Sequence, residues 1–175
     1  MKSSVKEIQT KILEIIKYMH ELCVENSIQY CIMGGTALGA VRHGGFIPWD
    51  DDLDVFMTPS NYLKFKVVFE KKNDERFYLQ EFKTNKKYLE YAKVRMNGTT
   101  FIEKEFIKEK NMHQGIFVDI MILHKVSTKR FVQKLVYFDS KLVTLIGRSF
   151  NHWNPRNIFK KFANALIKLT PRRLI

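Results

Sequence analysis

The sequence predicts an α/β protein built on a mixed sheet, and three observations carry that prediction. An amphipathic helical pattern opens the chain, a short apolar run then ends in a glycine pair that leads into a helix, and later apolar runs of strand length alternate with helical stripes. In the opening pattern Val5, Ile8, Ile12, Ile15, Met19 and Leu22 recur every three or four residues between charged positions, which predicts a helix over 4–26. Asn26-Ser27 breaks it. Ile28–Met33 predicts a short strand ending at Gly34-Gly35, and Thr36–Arg42 predicts a short helix. Leu53–Met57 reads as the next strand, and Pro59-Ser60 opens a helix through Lys72 that buries Tyr62, Phe65, Val68 and Phe69.

Phe77–Phe82 and Tyr91–Met96 have strand character, and Asn97-Gly98 predicts a hairpin returning through Thr99–Glu103. Lys104–Gln114 is charged and expected to be a mobile loop. Ile116–Leu123 predicts a strand buried on both faces in which the lone Asp119 needs a reason to be present. Beyond Ser127 the period turns helical, with Phe131, Leu135, Phe138, Leu142 and Leu145 in one stripe and Phe159, Phe162, Leu166 and Leu169 in another after Pro155. The expected organisation is a core over 1–127 and a basic helical extension over 128–175, without internal repeats or low-complexity tracts.

At 175 residues and 45% apolar, the chain can bury a sizeable core. Met1-Lys2-Ser3-Ser4 leads into charged residues rather than an apolar leader, and no run approaches the length of a membrane span, so a cytoplasmic protein is expected. Cys23 and Cys31 sit among apolar neighbours and read as buried reduced thiols; Trp49 reads as an anchor of its loop in the core, with stacking on a base as the alternative. His20, His113, His124 and His152 lack metal-ligand spacing. The net charge of +12 comes from the C-terminal third, where 128–175 carry eleven basic residues against one acid, whereas 1–75 carry nine against eleven. Such a surface favours polyanions, an anionic membrane or an acidic glycan among them.

Residues 50–54 concentrate four aspartates in five positions. Carboxylates that close repel one another unless a cation neutralises them. In an extended strand Asp52 and Asp54 would share a face, Asp50 would continue the alternation, and Asp51 would point away. That is a site for Mg²⁺, with Mn²⁺ as the alternative: hard oxygen ligands from a few carboxylates, the rest from water and substrate phosphate. Gly34-Gly35 at a helix start allows close approach to a phosphate, and Asp119 could reach the same ion from a neighbouring strand. The pattern is that of a phosphate-handling enzyme.

The order strand, Gly-Gly, Asp-x-Asp and a later carboxylate is similar to that of the nucleotidyltransferase (polymerase β-like) superfamily. Within it, the segment from Arg42-His43-Gly44-Gly45 through Phe46-Ile47-Pro48-Trp49 to Asp50-Asp51-Asp52 resembles the signature of the LicD/fukutin family. Tyr91–Arg95 followed by Thr99–Ile102, and Gly115–Ile120, match the same pattern, so the resemblance covers most of 30–123. It implies a nucleotidyltransferase-like core whose catalytic and metal-binding carboxylates are Asp52, Asp54 and Asp119, with Asp50 beside them and Asp119 as ligand or base. It also implies donor contacts from Gly34, Gly35, Thr36, Arg42, His43, Lys93 and Arg95. The implied reaction moves phosphocholine from a CDP-activated donor to a sugar hydroxyl of teichoic acid or lipopolysaccharide, or to a lipid-linked sugar. Residues 128–175 then read as the start of an acceptor-side region on the inner membrane face, with no specific nucleic acid as partner. The rivals are transfer of another phosphopolyol, nucleotidylation of a small molecule, and a non-catalytic polyanion-binding module.

Overall fold

Each apolar stripe forms an element where it finds a partner. In the computed structural model, which describes residues 4–81, 89, 91–107, 109 and 111–150, helix α1 runs over Val5–Glu25. Ser4 caps it: its hydroxyl accepts from the Glu7 N–H while the Glu7 carboxylate accepts from the Ser4 N–H, a reciprocal capping box. Strand β1 (Cys31–Ile32), helix α2 (Gly34–His43), strand β2 (Asp54–Met57) and helix α3 (Pro59–Lys72) follow. Strands β3 (Phe77–Gln80) and β4 (Ala92–Met96), a 3-10 turn at Lys104–Phe106, strand β5 (Phe117–Ile122) and helix α4 (Arg130–Phe150) complete the described elements.

The five strands make one mixed sheet in the order β1-β2-β5-β4-β3, in which β2 and β5 run parallel and the other neighbours antiparallel. Alternation of side chains divides the sheet into two unlike faces. Val55, Met57, Leu79, Val94, Met96, Val118 and Ile120 form one core with Ile12, Ile15, Met19, Phe65 and Phe69 of α1 and α3. The opposite face carries Asp54, Asp119, Lys93, Arg95 and Gln80. The chain divides into two compact units, residues 1–81 with 91–124 and residues 82–90 with 125–175. The sheet, α1, α2 and α3 lie in the first. In the second, α4 has Phe131, Leu135, Phe138 and Leu142 each more than half exposed.

Several expectations change. Thr99–Glu103 forms no strand, because both edges of β4 are already taken by β3 and β5. The segment is instead tied to the entry of β5, where the Thr99 hydroxyl accepts from the Ile116 N–H at 2.9 Å and donates to the Met96 carbonyl. The segment expected to be a mobile loop is anchored by the buried Phe106 and Met112. Cys31 is exposed, since β1 is a two-residue edge strand, and only Cys23 is buried. Trp49 is 73% exposed, its place in the core being taken by Ile47. Strand β2 begins at Asp54, so Asp52 precedes the ladder rather than sharing the strand. The second C-terminal stripe and Phe82 lie outside the described residues.

Candidate active site

The register of the sheet aligns four polar residues in one row across its open face. Asp54 of β2 stands opposite Asp119 of β5, Asp119 opposite Lys93 of β4, and Lys93 opposite Gln80 of β3. Directly opposed residues share a face, so this row accounts for the lone carboxylate in β5. Lys93 Nζ lies 2.7 Å from Asp119 Oδ1 and 3.1 Å from Glu103 Oε1. Glu103 Oε2 in turn lies 2.6 Å from Arg95 Nη2. Arg95 also donates from Nη1 to the Gly115 carbonyl at 2.7 Å and from Nε to Gln80 Oε1 at 2.5 Å.

The result is an alternating chain, Asp119, Lys93, Glu103, Arg95, whose two cations also rest on the Phe117 ring at 3.7 and 4.7 Å. Arg95 is wholly buried and Lys93 is 6% exposed. Burial in this cluster is tolerable because every charge has a partner. The Asp119 carboxyl is pushed up to about 6, chiefly by burial, with Lys93 opposing the rise and Glu103 and Asp54 adding to it. Glu103 escapes the sequence pattern. The available signal was a Lys and an Arg two positions apart on a strand with Ala92, Val94 and Met96 on its other face, a pair that needs an acid nearby.

The second half of the site is the turn from β1 into α2. Gly34 opens α2 with φ of +59°, a conformation that L side chains resist. Met33 at the cap position offers no side-chain acceptor and the first turn holds no acid, so the start of α2 is receptive to an anion. Thr36 ties this helix to the carboxylates: its hydroxyl accepts from the Asp54 N–H at 3.0 Å.

The aspartate loop is held just as firmly. Gln9 of α1 donates to the Ile47 carbonyl at 3.1 Å and to the Asp50 carbonyl at 2.8 Å. Gly39 has no room for a side chain, since a Cβ there would meet the Gly45 carbonyl oxygen at 2.6 Å. Asp50 leans over the glycine turn, its Oδ2 3.2 Å from where a Gly35 Cβ would stand.

Although much of Asp52 faces solvent, lost hydration on its protein side, then Asp50 and Asp51, raise its carboxyl, with Lys93 opposing. Asp54 is raised by burial and then by Asp52. Two carboxylates that close must share a proton or a cation. Among the described residues no three acidic, thiol or imidazole groups are gathered as a closed metal cage. The donor set nevertheless fits Mg²⁺ or Mn²⁺, which can bind through one or two carboxylates and take other oxygens from water and phosphate.

The remaining sequence-derived candidates are arranged differently. Arg42 and His43 occupy the exposed far end of α2, about 9 Å along the axis beyond Thr36. Arg42 Nε lies 3.3 Å from His43 Nδ1. Lys93 and Arg95 are near the carboxylates but engaged in the buried chain of ion pairs. His113, given no role from the sequence, is structural: it stacks on Tyr78 and accepts from the Gly115 N–H at 3.0 Å.

Comparison with known proteins bears on this arrangement. The family described as LicD/FKTN/FKRP, nucleotidyltransferase domain, matches residues 27–154. A lipopolysaccharide cholinephosphotransferase LicD of Haemophilus influenzae is 42% identical over 79 residues, covering 45% of this chain and 30% of that protein. An uncharacterized protein of Rickettsia prowazekii is 30% identical over 128 residues, covering 71% of this chain and 43% of that one. A third, from Rickettsia typhi, is 46% identical over 55 residues, which is 31% of this chain and 18% of the relative. The matches therefore span less than half the length of these relatives.

Proposed function

Because the chain belongs to the LicD/FKTN/FKRP nucleotidyltransferase-domain family, we propose that it is a transferase moving phosphocholine from a CDP-activated donor to a sugar hydroxyl of a surface glycan. Lipopolysaccharide is the first candidate, after the Haemophilus relative. Teichoic acid and a lipid-linked sugar share the required hydroxyl. The observation that carries this reading is the pairing of Asp54 with Asp119 across β2 and β5, with the uncapped start of α2 tied to Asp54 through Thr36.

In the reaction the sugar oxygen attacks the phosphorus bearing choline, the bond to the CMP oxygen breaks, and the hydroxyl proton passes to a base. Asp119 suits that proton, since its carboxyl, at about 6, is a better acceptor than an ordinary aspartate. Gly34, Gly35 and Thr36 present backbone N–H groups to the diphosphate. Lys93 holds Asp119 in place, and Arg95 holds Glu103 against Lys93. Asp52 and Asp54, with Asp50 beside them, would hold Mg²⁺ or Mn²⁺, which when bound supplies charge neutralisation at the diphosphate.

The test is incubation with a panel of CDP-alcohols, divalent metal and a lipopolysaccharide acceptor, with released nucleotide identified by mass. CMP from CDP-choline is expected. CMP from CDP-ribitol alone would move the protein to phosphopolyol transfer, and pyrophosphate from a nucleoside triphosphate would make it a nucleotidyltransferase. No release from any donor would leave a polyanion-binding module. An anionic membrane as second partner is favoured by α4, where Lys134 and Lys141 flank the exposed stripe of Phe131, Leu135, Phe138 and Leu142. No described helix is long and apolar enough to cross a membrane. Association with the membrane would run through α4; equal sedimentation with anionic and neutral vesicles would remove it.

A further inference from the structure

A cavity of about 350 Å³ lies within the sheet-bearing unit, between α1, β1, α2 and the 44–47 loop. Leu13, Ile16, Tyr30, Ile32 and Phe46 supply apolar and aromatic walls, and Asp50 is the one charged residue in the lining. Its other polar groups are largely spoken for. The Tyr30 hydroxyl lies 3.0 Å from His20 Nδ1, and the Thr36 hydroxyl accepts from the Asp54 N–H. Water gains little in such a space, because each molecule wants two to four polar partners.

The occupant that suits these walls has an apolar surface, a positive charge and no hydrogen-bond donors. A primary ammonium brings three N–H donors that each need an acceptor; Asp50 can take one or two of them, and the apolar walls leave the rest unpaired. An anion would meet Asp50. A neutral alkyl group would fill the volume but gain nothing from the carboxylate or from the faces of Tyr30 and Phe46. A quaternary ammonium satisfies all three conditions, its methyl groups packing on the walls while its charge is drawn to Asp50 and the aromatic rings.

We propose that this cavity seats the trimethylammonium head of choline, with Asp50 as its counter-charge and Thr36 marking the passage towards the anion-receptive start of α2. The proposal rests on the phosphocholine reading for its ligand, and assigns the selectivity between donor alcohols to residues 13–53 rather than to the carboxylate row. Its consequence is discrimination by charge type: choline over ethanolamine, and choline over its neutral isostere 3,3-dimethylbutan-1-ol.

The experiment titrates the full, metal-free chain with choline chloride, ethanolamine and 3,3-dimethylbutan-1-ol. Carbon-13 methyl spectra of Leu13, Ile16 and Ile32 are followed. Choline is expected to shift these methyls saturably and to bind at least about tenfold tighter than either competitor. Asp50→Asn should weaken choline about tenfold and leave the neutral isostere unchanged; if that variant does not fold, the three ligands on the wild-type chain decide the matter. Methyls that do not move with choline, or equal affinity for either competitor, would overturn the proposal. Choline binding without CMP release from CDP-choline would sink the transfer reading and leave the cavity assignment standing. CMP release without choline binding here would do the reverse.

Discussion

Asp119 and the Asp50–Asp54 segment approach each other on neighbouring strands, yet they handle negative charge in opposite ways. Asp119 is drawn into a buried chain in which Lys93, Glu103 and Arg95 alternate in sign, so Lys93 offsets its charge from within the protein although burial still lifts its carboxyl to about 6. Asp50, Asp52 and Asp54 lie beside one another, and burial first, then the neighbouring carboxylates, raise Asp52 and Asp54 against the opposing charge of Lys93. The first cluster is complete as folded. In the proposed reading the second takes its positive partner from outside, while Lys93, Glu103 and Arg95 frame the first from within.

The strongest way to break this contrast is to neutralise the strand carboxylate of the incomplete cluster. Asp54→Asn keeps the shape of the side chain and the backbone bond to Thr36, so the fold should survive. Turnover of CDP-choline should fall on the order of 10³-fold or more, as when a charge-stabilising group is lost from a transfer site. Unaltered rates in a variant with wild-type near-ultraviolet circular dichroism would remove Asp54 from the site. In the complete cluster Arg95→Met should act on stability instead. Glu103 and Gln80 would lose their buried partner, and unfolding should become easier by about 3–5 kcal/mol in urea titration. A loss below 1 kcal/mol would show that Arg95 contributes little net stabilisation.

The sign of the effect at Asp52 sharpens the comparison further. Its carboxyl is raised in the folded chain, so the native state holds this proton more tightly than the unfolded chain does. Stability therefore declines as pH rises from the unfolded pKa through the folded one, and the ionised form is a burden at neutral pH. Asp52→Asn should make the metal-free protein slightly more stable at pH 7 while weakening its response to added Mg²⁺. Destabilisation of the metal-free chain would mean that the cluster is internally satisfied after all.

Much of this was visible in the residues before any coordinates. Stripes with a 3.6-residue period placed α1 and α3 to within a residue or two, because their apolar faces find a core directly. Asp54 and Asp119 were legible as charges set in apolar strands. What failed was whatever depends on vacancy or pairing between distant segments. Asn97-Gly98 does turn the chain, but a hairpin also needs a free edge, and β3 and β5 hold both edges of β4. Glu103 is an ordinary loop acid until β4 brings Lys93 and Arg95 against it. Trp49 shows the same limit: composition says that an indole prefers burial, whereas the tight turn held by Gln9 gives the core position to Ile47.

The smallest expected effect tests the rim of the complete cluster. His113 Nδ1 accepts the Gly115 N–H, so the ring proton sits on Nε2, which is 2.7 Å from Asn97 Oδ1 as its acceptor. Protonating Nδ1 would break the bond to Gly115, whose carbonyl is itself held by Arg95. Burial, and then the Arg95 charge, lower the His113 pKa below the usual 6.5. The unfolded chain then takes up the proton first as pH falls. The stabilisation from neutral His113 is complete above 6.5 and disappears as pH drops through the lower folded value. Denaturation midpoints measured between pH 7.5 and pH 5 should therefore fall more steeply for the wild-type chain than for His113→Gln, which cannot titrate. Parallel slopes in the two proteins would mean that the imidazole is not held neutral, and that Arg95 and Gly115 are coupled without it.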